Sequence, residues 1–370
     1  MKVTSTQSPR ASSSSSSSVQ VIIRLRPLNE REKKYNTLPV VTASTLDKSV
    51  TAIKGKGKTK SKQIFQFDNV FTSFSTQEDI FEATLQPIIK DVLNGYESTV
   101  FAYGQTGTGK THTMEGDLSN KDEYGVIPRS ASAIFNELQS NPDYISSSVY
   151  CSLLEIYNEE LSDLLVTSIK TTTTTKLAIM EGENGPFCRG LSETKVTCAE
   201  ELLVLMQRAH EQRHTGETDM NKESSRSHCI FTLRIESKRK LMDGSILEIG
   251  GKLHCVDLAG SECAKSCGNA GPQQATRERE RMNINRSLLT LGRVVKLLKD
   301  AAATGSGKSS SSSVRIPYRD SKLTRILQES LGGRCKTCLI ATISPSITAI
   351  EESMSTLNYA QAANGIINKP

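Results

Sequence analysis

Short segments with alternating apolar and polar residues are separated along this chain by longer segments in which apolar residues recur at helical spacing. The first, VQVIIR at residues 19–24, is rich in β-branched residues and predicts a strand. Helical spacing follows over residues 80–93 and stops at Asn94-Gly95. The same criteria predict strands over residues 98–103, 149–157, 229–240, 246–257 and 337–344, and helices over 199–214, 283–300, 321–331 and 351–367. This alternation predicts one α/β domain with a mixed central sheet.

Homopolymeric tracts interrupt the pattern at residues 12–18, 171–175 and 309–313. Runs of serine or threonine cannot bury apolar surface, so we expect a disordered Ser-rich extension over residues 1–18 and two solvated loops. The predicted organisation is this extension followed by one folded domain over residues 19–370.

Composition and charge narrow the class of protein. The 370 residues carry 46 Lys+Arg and 40 Asp+Glu, a net charge of +6, which permits an acidic partner surface. No apolar run approaches the roughly 20 residues of a membrane helix, and the N-terminus lacks the apolar core of a secretory signal. Its Ser-rich, basic composition also fits a transit peptide, but it lacks an amphipathic arginine pattern, so we favour a disordered extension. Nine scattered cysteines indicate reduced thiols in a cytosolic or nuclear protein.

The predicted strand at residues 98–103 leads into GQTGTGKT, which matches the phosphate-binding pattern G-x-x-x-x-G-K-[ST]. Glycines let the backbone curl so that successive N–H groups face a phosphate. The lysine would reach the β- and γ-phosphate oxygens, and the final threonine would bind Mg²⁺. No guanine-specific Asn-Lys-x-Asp motif lies at a suitable distance downstream, so we expect adenine. This P-loop comprises Gly104, Gln105, Thr106, Gly107, Thr108, Gly109, Lys110 and Thr111.

Two polar segments fit sensors of the γ-phosphate: NKESSRSH at residues 221–228, here called switch I, and DLAGSE at residues 257–262, here called switch II. An aspartate at a strand end can hold Mg²⁺ through water, which is the role we expect for Asp257. A glycine three residues later, Gly260, can offer its N–H to the γ-phosphate. Opposite charges could latch the two segments together, namely those of Arg226 and Glu262.

GQTGTGKT, NKESSRSH and DLAGSE together resemble the kinesin motor domain, and the resemblance extends over residues 19–370. Further matching segments are RLRP (24–27), SLLEIYNE (152–159), NINRSL (283–288) and PYRDSKLTR (317–325). The resemblance implies a P-loop NTPase of the kinesin motor fold, with a mixed central β-sheet flanked by helices on both faces. It also implies a microtubule-stimulated ATPase that uses ATP and Mg²⁺.

The resemblance assigns the nucleotide contacts residue by residue. Arg24, Arg26 and Pro27 would border the adenine, and His112 would pack on the base. Metal contacts would come from Thr111, Ser225 and Asp257, and the further switch I contacts from Asn221 and Ser224. The residues implied to be catalytic are Lys110, Ser225, Arg226, Gly260 and Glu262, where the salt bridge of Arg226 with Glu262 helps to organise the attacking water.

A basic segment resembles the part of kinesins that binds the acidic surface of tubulin. Its expected microtubule-binding residues are Tyr318, Arg319, Lys322 and Arg325. In kinesins the helix that includes residues 283–299 also sits on tubulin. The preceding loop is expanded, AAATGSGKSSSSSVRIP, but carries only Lys308 and Arg315, so we expect it to add little electrostatic attraction.

The segments LLTLGRV (288–294) and INKP (367–370) look most like the BimC-type mitotic kinesins, which are plus-end-directed bipolar tetramers. We therefore expect a cytoplasmic protein on spindle microtubules. The loop at residues 115–125 is shorter than in that class, which leaves a transport kinesin as an alternative and puts in doubt a drug pocket built from this loop. A non-motile, nucleotide-switched microtubule-binding module is the other alternative.

The resemblance also bears on assembly. Residue 370 falls where the neck linker of kinesins begins, so we expect this chain alone to be a monomer that hydrolyses ATP without walking. The full-length protein would be an oligomer joined by a coiled coil. Neither a nucleic acid nor a membrane is an expected partner.

Overall fold

A computed structural model of the protein describes residues 17–34, 38–55, 60–166, 176–215, 225–262, 274–303 and 315–370. Only the backbone is described for residues 214–215 and 274–285. Several sequence predictions lie outside the described residues: those for most of the extension (1–16), the tracts at 171–175 and 309–313, and the switch I residues Asn221 and Ser224.

The strands of the described residues are numbered in chain order. They are β1 (Ser17–Ser18), β2 (Gln20–Leu25), β3 (Val41–Ser44), β4 (Ser49–Lys54), β5 (Ser61–Gln66), β6 (Asn69–Phe71), β7 (Glu97–Tyr103), β8 (Tyr144–Tyr157), β9 (Glu160–Asp163), β10 (Ala178–Gly182), β11 (Gly185–Arg189), β12 (Thr194–Val196), β13 (His228–Lys240), β14 (Ile246–Asp257), β15 (Lys336–Ile343) and β16 (Ile367–Asn368).

The α-helices are numbered in the same way. They are α1 (Glu30–Lys34), α2 (Gln77–Ile80), α3 (Gln86–Leu93), α4 (Lys110–Met114), α5 (Val126–Ser140), α6 (Ala199–Thr215), α7 (Gln274–Ala303), α8 (Lys322–Ile326) and α9 (Ile350–Ala363). A π-helical turn, Phe81–Leu85, joins α2 to α3, and short 3₁₀ turns lie at Lys121–Glu123, Tyr318–Asp320 and Ile347–Ala349.

The central sheet has the strand order β12-β8-β13-β14-β7-β15-β2-β6, with β9 paired to β8. Pairs on the β12 side are antiparallel, whereas β14, β7, β15, β2 and β6 run parallel to one another. The sheet is therefore mixed, as the sequence predicts. Because β7, β14 and β15 are parallel neighbours, their carboxyl ends meet at one edge of the sheet.

Two apolar cores cover the two faces of this sheet. One packs α2, α3, α5 and α6 against it, through residues such as Ile80, Leu85, Ile134 and Leu202. The other holds α7, α8, α9 and the small β3-β4-β5 sheet, through Phe65, Val294, Leu323 and Leu357. Helices on both faces confirm the predicted fold class. In the described part of the chain, no helix combines the length and apolar character needed to cross a membrane.

The predicted start of the folded domain is two residues late. Ser17–Ser18, assigned to the extension, pairs as β1 with Ile367–Asn368. Backbone pairing makes little use of the side chain, so a serine tract does not reveal where a short strand begins. The same pairing corrects the predicted helix over residues 351–367, because α9 ends at Ala363 and the following residues form β16.

The predicted helix over residues 321–331 is also too long. Only Lys322–Ile326 is helical, and turns follow it. Turn hydrogen bonds replace the helical pattern there, from Ser330 N–H to the Leu327 carbonyl (3.1 Å) and from Leu331 N–H to the Gln328 carbonyl (3.3 Å). Tertiary contacts hold these turns: the Tyr318 hydroxyl donates to the Leu331 carbonyl (2.6 Å), and the Asn368 amide donates to the Ser330 carbonyl (3.1 Å).

Candidate nucleotide-binding site

The P-loop leaves the carboxyl end of β7 between the ends of β14 and β15. In the parallel pairings, Asp257 lies opposite Ala102 and Ala341 lies opposite Tyr103. β13 is antiparallel to β14, so its first residues reach the same edge, with Cys229 opposite Asp257. The fold therefore brings the P-loop, the end of switch I and the start of switch II together, as ligand sites of α/β sheets require.

Two of the P-loop glycines show why the motif needs this residue. Gly104 lies so close to β15 that an added Cβ would collide with the Thr342 carbonyl oxygen. Gly109 has φ 97°, a left-handed conformation that side chains disfavour, and nothing lies within 4 Å of an added Cβ there. The first glycine thus fits the loop onto the sheet, and the second turns it into α4 beside open space.

Lys110 lies at the start of α4 and is only 7% exposed. Its ammonium group donates to the Gln105 carbonyl (3.0 Å). Burial lowers the pKa of Lys110, and the nearby carboxylates of Asp257 and Glu262 oppose that shift. The lysine is therefore a buried cation among anions, and its short contact to the loop keeps it where a phosphate would interact.

Thr111 and Asp257 contact each other directly, since the threonine hydroxyl donates to Oδ2 of the aspartate (2.6 Å). Burial raises the pKa of Asp257 to about 6, although Lys110 and this hydrogen bond lower it. Within the described residues, Oδ1 of Asp257 is buried and has no hydrogen-bond partner. A buried carboxylate oxygen that lacks a partner beside a hydroxyl fits the all-oxygen surroundings that Mg²⁺ prefers. The residues present therefore fit the expected metal.

A backbone hydrogen bond joins the two switches, from Gly260 N–H to the Ser225 carbonyl (3.0 Å). Switch II also contacts the P-loop: Ser261 N–H donates to the Gly104 carbonyl (3.1 Å), and Glu262 accepts from both the N–H (2.8 Å) and the hydroxyl of Thr106. A Cβ on Gly260 would collide with this Thr106–Glu262 contact. Three of the segments predicted to surround the γ-phosphate are thus in contact, and the Arg226–Glu262 salt bridge stays a prediction.

On the expected adenine side, Gln77 joins two of the predicted residues. Its carbonyl accepts from Arg24 (2.9 Å), and its amide lies 3.2 Å from Nδ1 of His112 and donates to the His112 carbonyl (2.7 Å). Arg24 also donates to Thr113 (2.8 Å), and burial lowers the pKa of Arg24 to about 10. Arg26, by contrast, is paired with Glu32 (2.6 Å).

Sequence reasoning missed Gln77 and Thr342. The Thr342 hydroxyl lies 2.7 Å from that of Thr108 and supports the P-loop from β15. Neither residue belongs to a motif, and both lie far along the chain from their partners: Gln77 is 53 residues from Arg24 and 35 from His112, and Thr342 is 234 residues from Thr108. The role of Thr342 depends on the strand order, and that of Gln77 on where α2 packs.

The loop at residues 115–125 is closed by a bridge between Gly116 and Tyr124. Beside it, Glu115 faces His210 of α6 (3.6 Å). The cavity that Glu115 lines with α5 and α6 measures about 20 Å³. A second cavity, of about 870 Å³, is lined by Lys121 and Tyr124 of this loop together with α3, α5 and α6, and its volume lies within the 300–1,000 Å³ typical of drug-sized ligands.

The segment predicted to bind microtubules lies on the α7 face of the sheet. Arg319 is 68% exposed, and Glu181 of β10 faces both it (3.6 Å) and Arg325 (3.2 Å). Lys322 begins α8, and its N–H donates to Glu159 (2.8 Å). The hydroxyl of Tyr318 is tied to the Leu331 carbonyl, and burial raises its pKa to about 12. This group therefore offers two arginines to a partner, with one carboxylate competing for them.

The sheet, the P-loop at its edge and the two touching switches define a P-loop nucleotide-binding domain. The sequence profile of the kinesin motor domain matches residues 24–366, and the chain belongs to that family.

The chain is 44% identical over 364 residues to the kinesin-like protein KIN-5A of Arabidopsis thaliana and 42% identical over 368 residues to KIN-5C of Nicotiana tabacum, and each alignment covers 95% of this chain. It spans about a third of the length of these curated relatives, 33% and 35%. A solved structure described as a fast kinesin has a TM-score of 0.80 and 39% identity, covering 95% of this chain and 92% of that one. The resemblance to the BimC type is confirmed, since these curated relatives are KIN-5 kinesins.

Proposed function

We propose that this domain binds Mg·ATP, hydrolyses it, and couples loss of the γ-phosphate to a change in affinity for microtubules. The observation that carries the proposal is the hydrogen bond from Gly260 N–H to the Ser225 carbonyl, which puts both switches beside the P-loop. A site in which two loops meet at the end of a phosphate-binding strand can report whether the γ-phosphate is present.

The chain's own residues would mainly position the phosphates and the attacking water and neutralise the charge of the phosphates. Lys110 would move its donor from the Gln105 carbonyl to phosphate oxygens, and the P-loop amides would hold the remaining charge. Thr111, Ser225 and Asp257 would hold Mg²⁺, which when bound neutralises the charge on the phosphates. Glu262 and Arg226 would orient the attacking water when the switches close. Arg24 and His112, both tied to Gln77, would border the adenine.

Binding to the acidic surface of tubulin would use α7 and the exposed basic groups of the 3₁₀ turn and α8. Arg319 and Arg325 lie on the same side of the sheet as α7, which packs against α8 and α9. A movement of switch II would therefore reach the track through neighbouring helices. By similarity to KIN-5 relatives we propose plus-end-directed movement on spindle microtubules, with the full-length protein assembled through a coiled coil.

The decisive experiment is steady-state ATPase activity with and without taxol-stabilised microtubules. We expect strong stimulation that Glu262→Ala abolishes, whereas Glu248→Ala, a remote carboxylate paired with Lys238, leaves it unchanged. Nucleotide-sensitive microtubule binding without stimulated turnover would instead support the non-motile module. Absence of both would overturn the proposed function.

Direction and subclass need a separate measurement. Polarity-marked microtubules should glide over surface-attached protein with their minus ends leading. The opposite direction would contradict the plus-end assignment. For the full-length protein, sedimentation should give a tetramer, and a dimer would favour a transport kinesin.

A further inference from the structure

His228 is a buried residue of switch I to which the mechanism above gives no role. It begins β13, directly after Arg226 and Ser227, and its side chain is 2% exposed. Its Nδ1 accepts a hydrogen bond from the backbone N–H of Ala259 (3.0 Å). Ala259 lies in switch II between Asp257 and Gly260, so the imidazole holds the backbone next to the predicted γ-phosphate sensor.

The other nitrogen of the same ring reaches a helix. Nε2 of His228 lies 2.8 Å from the hydroxyl oxygen of Ser287 in α7, and Ser287 is also 2% exposed. Because Nδ1 accepts from a backbone N–H, the neutral ring carries its proton on Nε2 and donates it to Ser287. Burial and the nearby Lys110 lower the pKa of His228 to about 3, so the ring stays neutral. The donors therefore follow one order: Ala259 N–H donates to His228, and His228 donates to Ser287.

These contacts join three parts of the domain that the proposed function requires to move together. His228 belongs to switch I, Ala259 to switch II, and Ser287 to the helix expected on tubulin. Because both hydrogen bonds of the ring are buried, a shift of the Ala259 backbone must either carry the ring and Ser287 with it or break a contact. A second histidine provides the contrast: His254 of β14 is half-buried, contacts Thr232 of β13 (2.9 Å) and belongs to none of these three parts.

We propose that His228 is a positioning residue that couples the position of the switch II backbone to α7, through its hydrogen bonds with Ala259 and Ser287. The proposal rests on the proposed function, because it concerns how nucleotide and microtubule sites influence each other. Coupling between sites requires an element with two arrangements that both sites bias. His228 contacts both elements concerned, and each contact is buried and therefore costly to break.

The test compares His228→Asn, Ser287→Ala and the double variant. The Asn carbonyl oxygen can replace Nδ1 as acceptor for Ala259 but is too short to reach Ser287, whereas Ser287→Ala removes the same contact from the other side. The first readout is the ratio of microtubule-stimulated to basal turnover. The second is the ratio of microtubule dissociation constants with ADP and with a non-hydrolysable ATP analogue.

We expect each single variant to reduce both ratios about tenfold, within the usual range of allosteric coupling. The double variant should be no worse than the worse of the two single ones, since the His228–Ser287 contact is missing from all three. Ser287→Thr, which keeps the hydroxyl, should give both ratios close to those of the wild-type protein, and His254→Asn should leave them unchanged. The thermal midpoint of each variant reports folding, and Ser287→Ala is the variant least able to perturb it.

Unchanged ratios in Ser287→Ala, or losses that multiply in the double variant, would overturn the coupling role even if stability falls. This failure is distinguishable from failure of the proposed function, in which the wild-type protein itself would show neither stimulation nor nucleotide-dependent binding. A wild-type protein that binds in a nucleotide-dependent way without stimulated turnover still tests the coupling through the second ratio.

Discussion

Glu262 accepts hydrogen bonds from both the backbone N–H and the hydroxyl of Thr106, so the end of switch II is held on the P-loop. The same carboxylate is the expected partner of Arg226 in the closed site. We expect the carboxylate to leave Thr106 when it pairs with Arg226, so the contact with Thr106 competes with closure of the switches.

Removing the Thr106 hydroxyl should therefore favour closure of the two switches over the nucleotide site. In Thr106→Val the shape is kept, but Glu262 retains only the backbone donor, and we expect basal ATP turnover to rise several-fold. Thr106→Ser keeps the hydroxyl and should behave as wild type. The measurement is single-turnover phosphate release without microtubules, and a slower rate in the valine variant would contradict the competition.

Gln77 should matter for nucleotide affinity even though it belongs to no motif. Gln77→Leu removes the group that joins Arg24 to His112, and loss of buried hydrogen bonds of this kind costs about 1–2 kcal/mol. We expect ATP to bind about tenfold more weakly, with the maximal stimulated turnover within about twofold of wild type. Glu78→Leu, an exposed neighbour on α2, is the matched control, and equal affinities in both variants would exclude this role.

Glu181 should weaken microtubule binding, because it faces both Arg319 and Arg325. Each exposed pair is worth little, about 0–1 kcal/mol, so Glu181→Gln should tighten binding only about two- to threefold. The effect should shrink as salt is raised. Glu248→Gln removes the same charge from a remote ion pair and should change nothing. Co-sedimentation with microtubules at two ionic strengths measures the affinity and its salt dependence. Weaker binding in Glu181→Gln would contradict the idea that Glu181 competes with tubulin for the two arginines.

The sequence predicts most of the central sheet and the phosphate-binding half of the site, because those features are local. The P-loop is predicted by its glycine spacing between a strand and a helix. β13 and β14 are predicted by alternating apolar and polar residues on either side of an Asp-Gly turn. By contrast, Thr342 supports the P-loop from β15, and its role depends on strand order alone.

Some elements have a local sequence signal and others do not. α5 has apolar residues at 127, 131, 134 and 138, which is a helical spacing visible in the sequence. The end of α8 is different, because the turns that follow it are held by Asn368 and Tyr318, which come from other parts of the chain. Local propensity cannot anticipate a turn that is held by tertiary hydrogen bonds.

Acid should destabilise the domain partly through His254. Burial lowers the pKa of His254 to about 4, from 6.5 in an exposed histidine, with Lys252 adding to the shift and Glu97 opposing it. The unfolded chain thus binds this proton more readily than the folded one. The stabilisation is fully present above pH 6.5 and is lost as pH falls towards 4.

The measurement is the thermal midpoint between pH 7 and pH 4. The midpoint should fall less steeply in His254→Asn, which keeps an acceptor for Thr232 but does not titrate. His228 and the carboxylates titrate in both proteins, so the difference between the two curves isolates His254. Parallel curves would show that its protonation does not limit acid stability.

Asn368 should stabilise the carboxyl end of the domain more than its exposed neighbours do. It is 1% exposed, and its amide nitrogen lies within hydrogen-bond distance of three acceptors, the carbonyls of Ser330 (3.1 Å) and Cys335 (2.6 Å) and the Thr337 hydroxyl (3.0 Å), which share its two hydrogens. Its carbonyl accepts from Gly332 N–H (2.8 Å). One side chain thereby joins β16 to the turns after α8 and to β15.

Asn368→Ala leaves these buried groups without partners, at a cost of about 1–3 kcal/mol. We expect the thermal midpoint to fall by about 2–5 °C. Lys369→Ala is the control, because Lys369 is exposed and its backbone N–H still donates to the Gly333 carbonyl (2.8 Å). Hydrogen exchange should show faster opening of β1 as well as β16 in Asn368→Ala, since the two strands pair only with each other. An equal midpoint in the two variants would mean that Asn368 does not anchor this end of the chain.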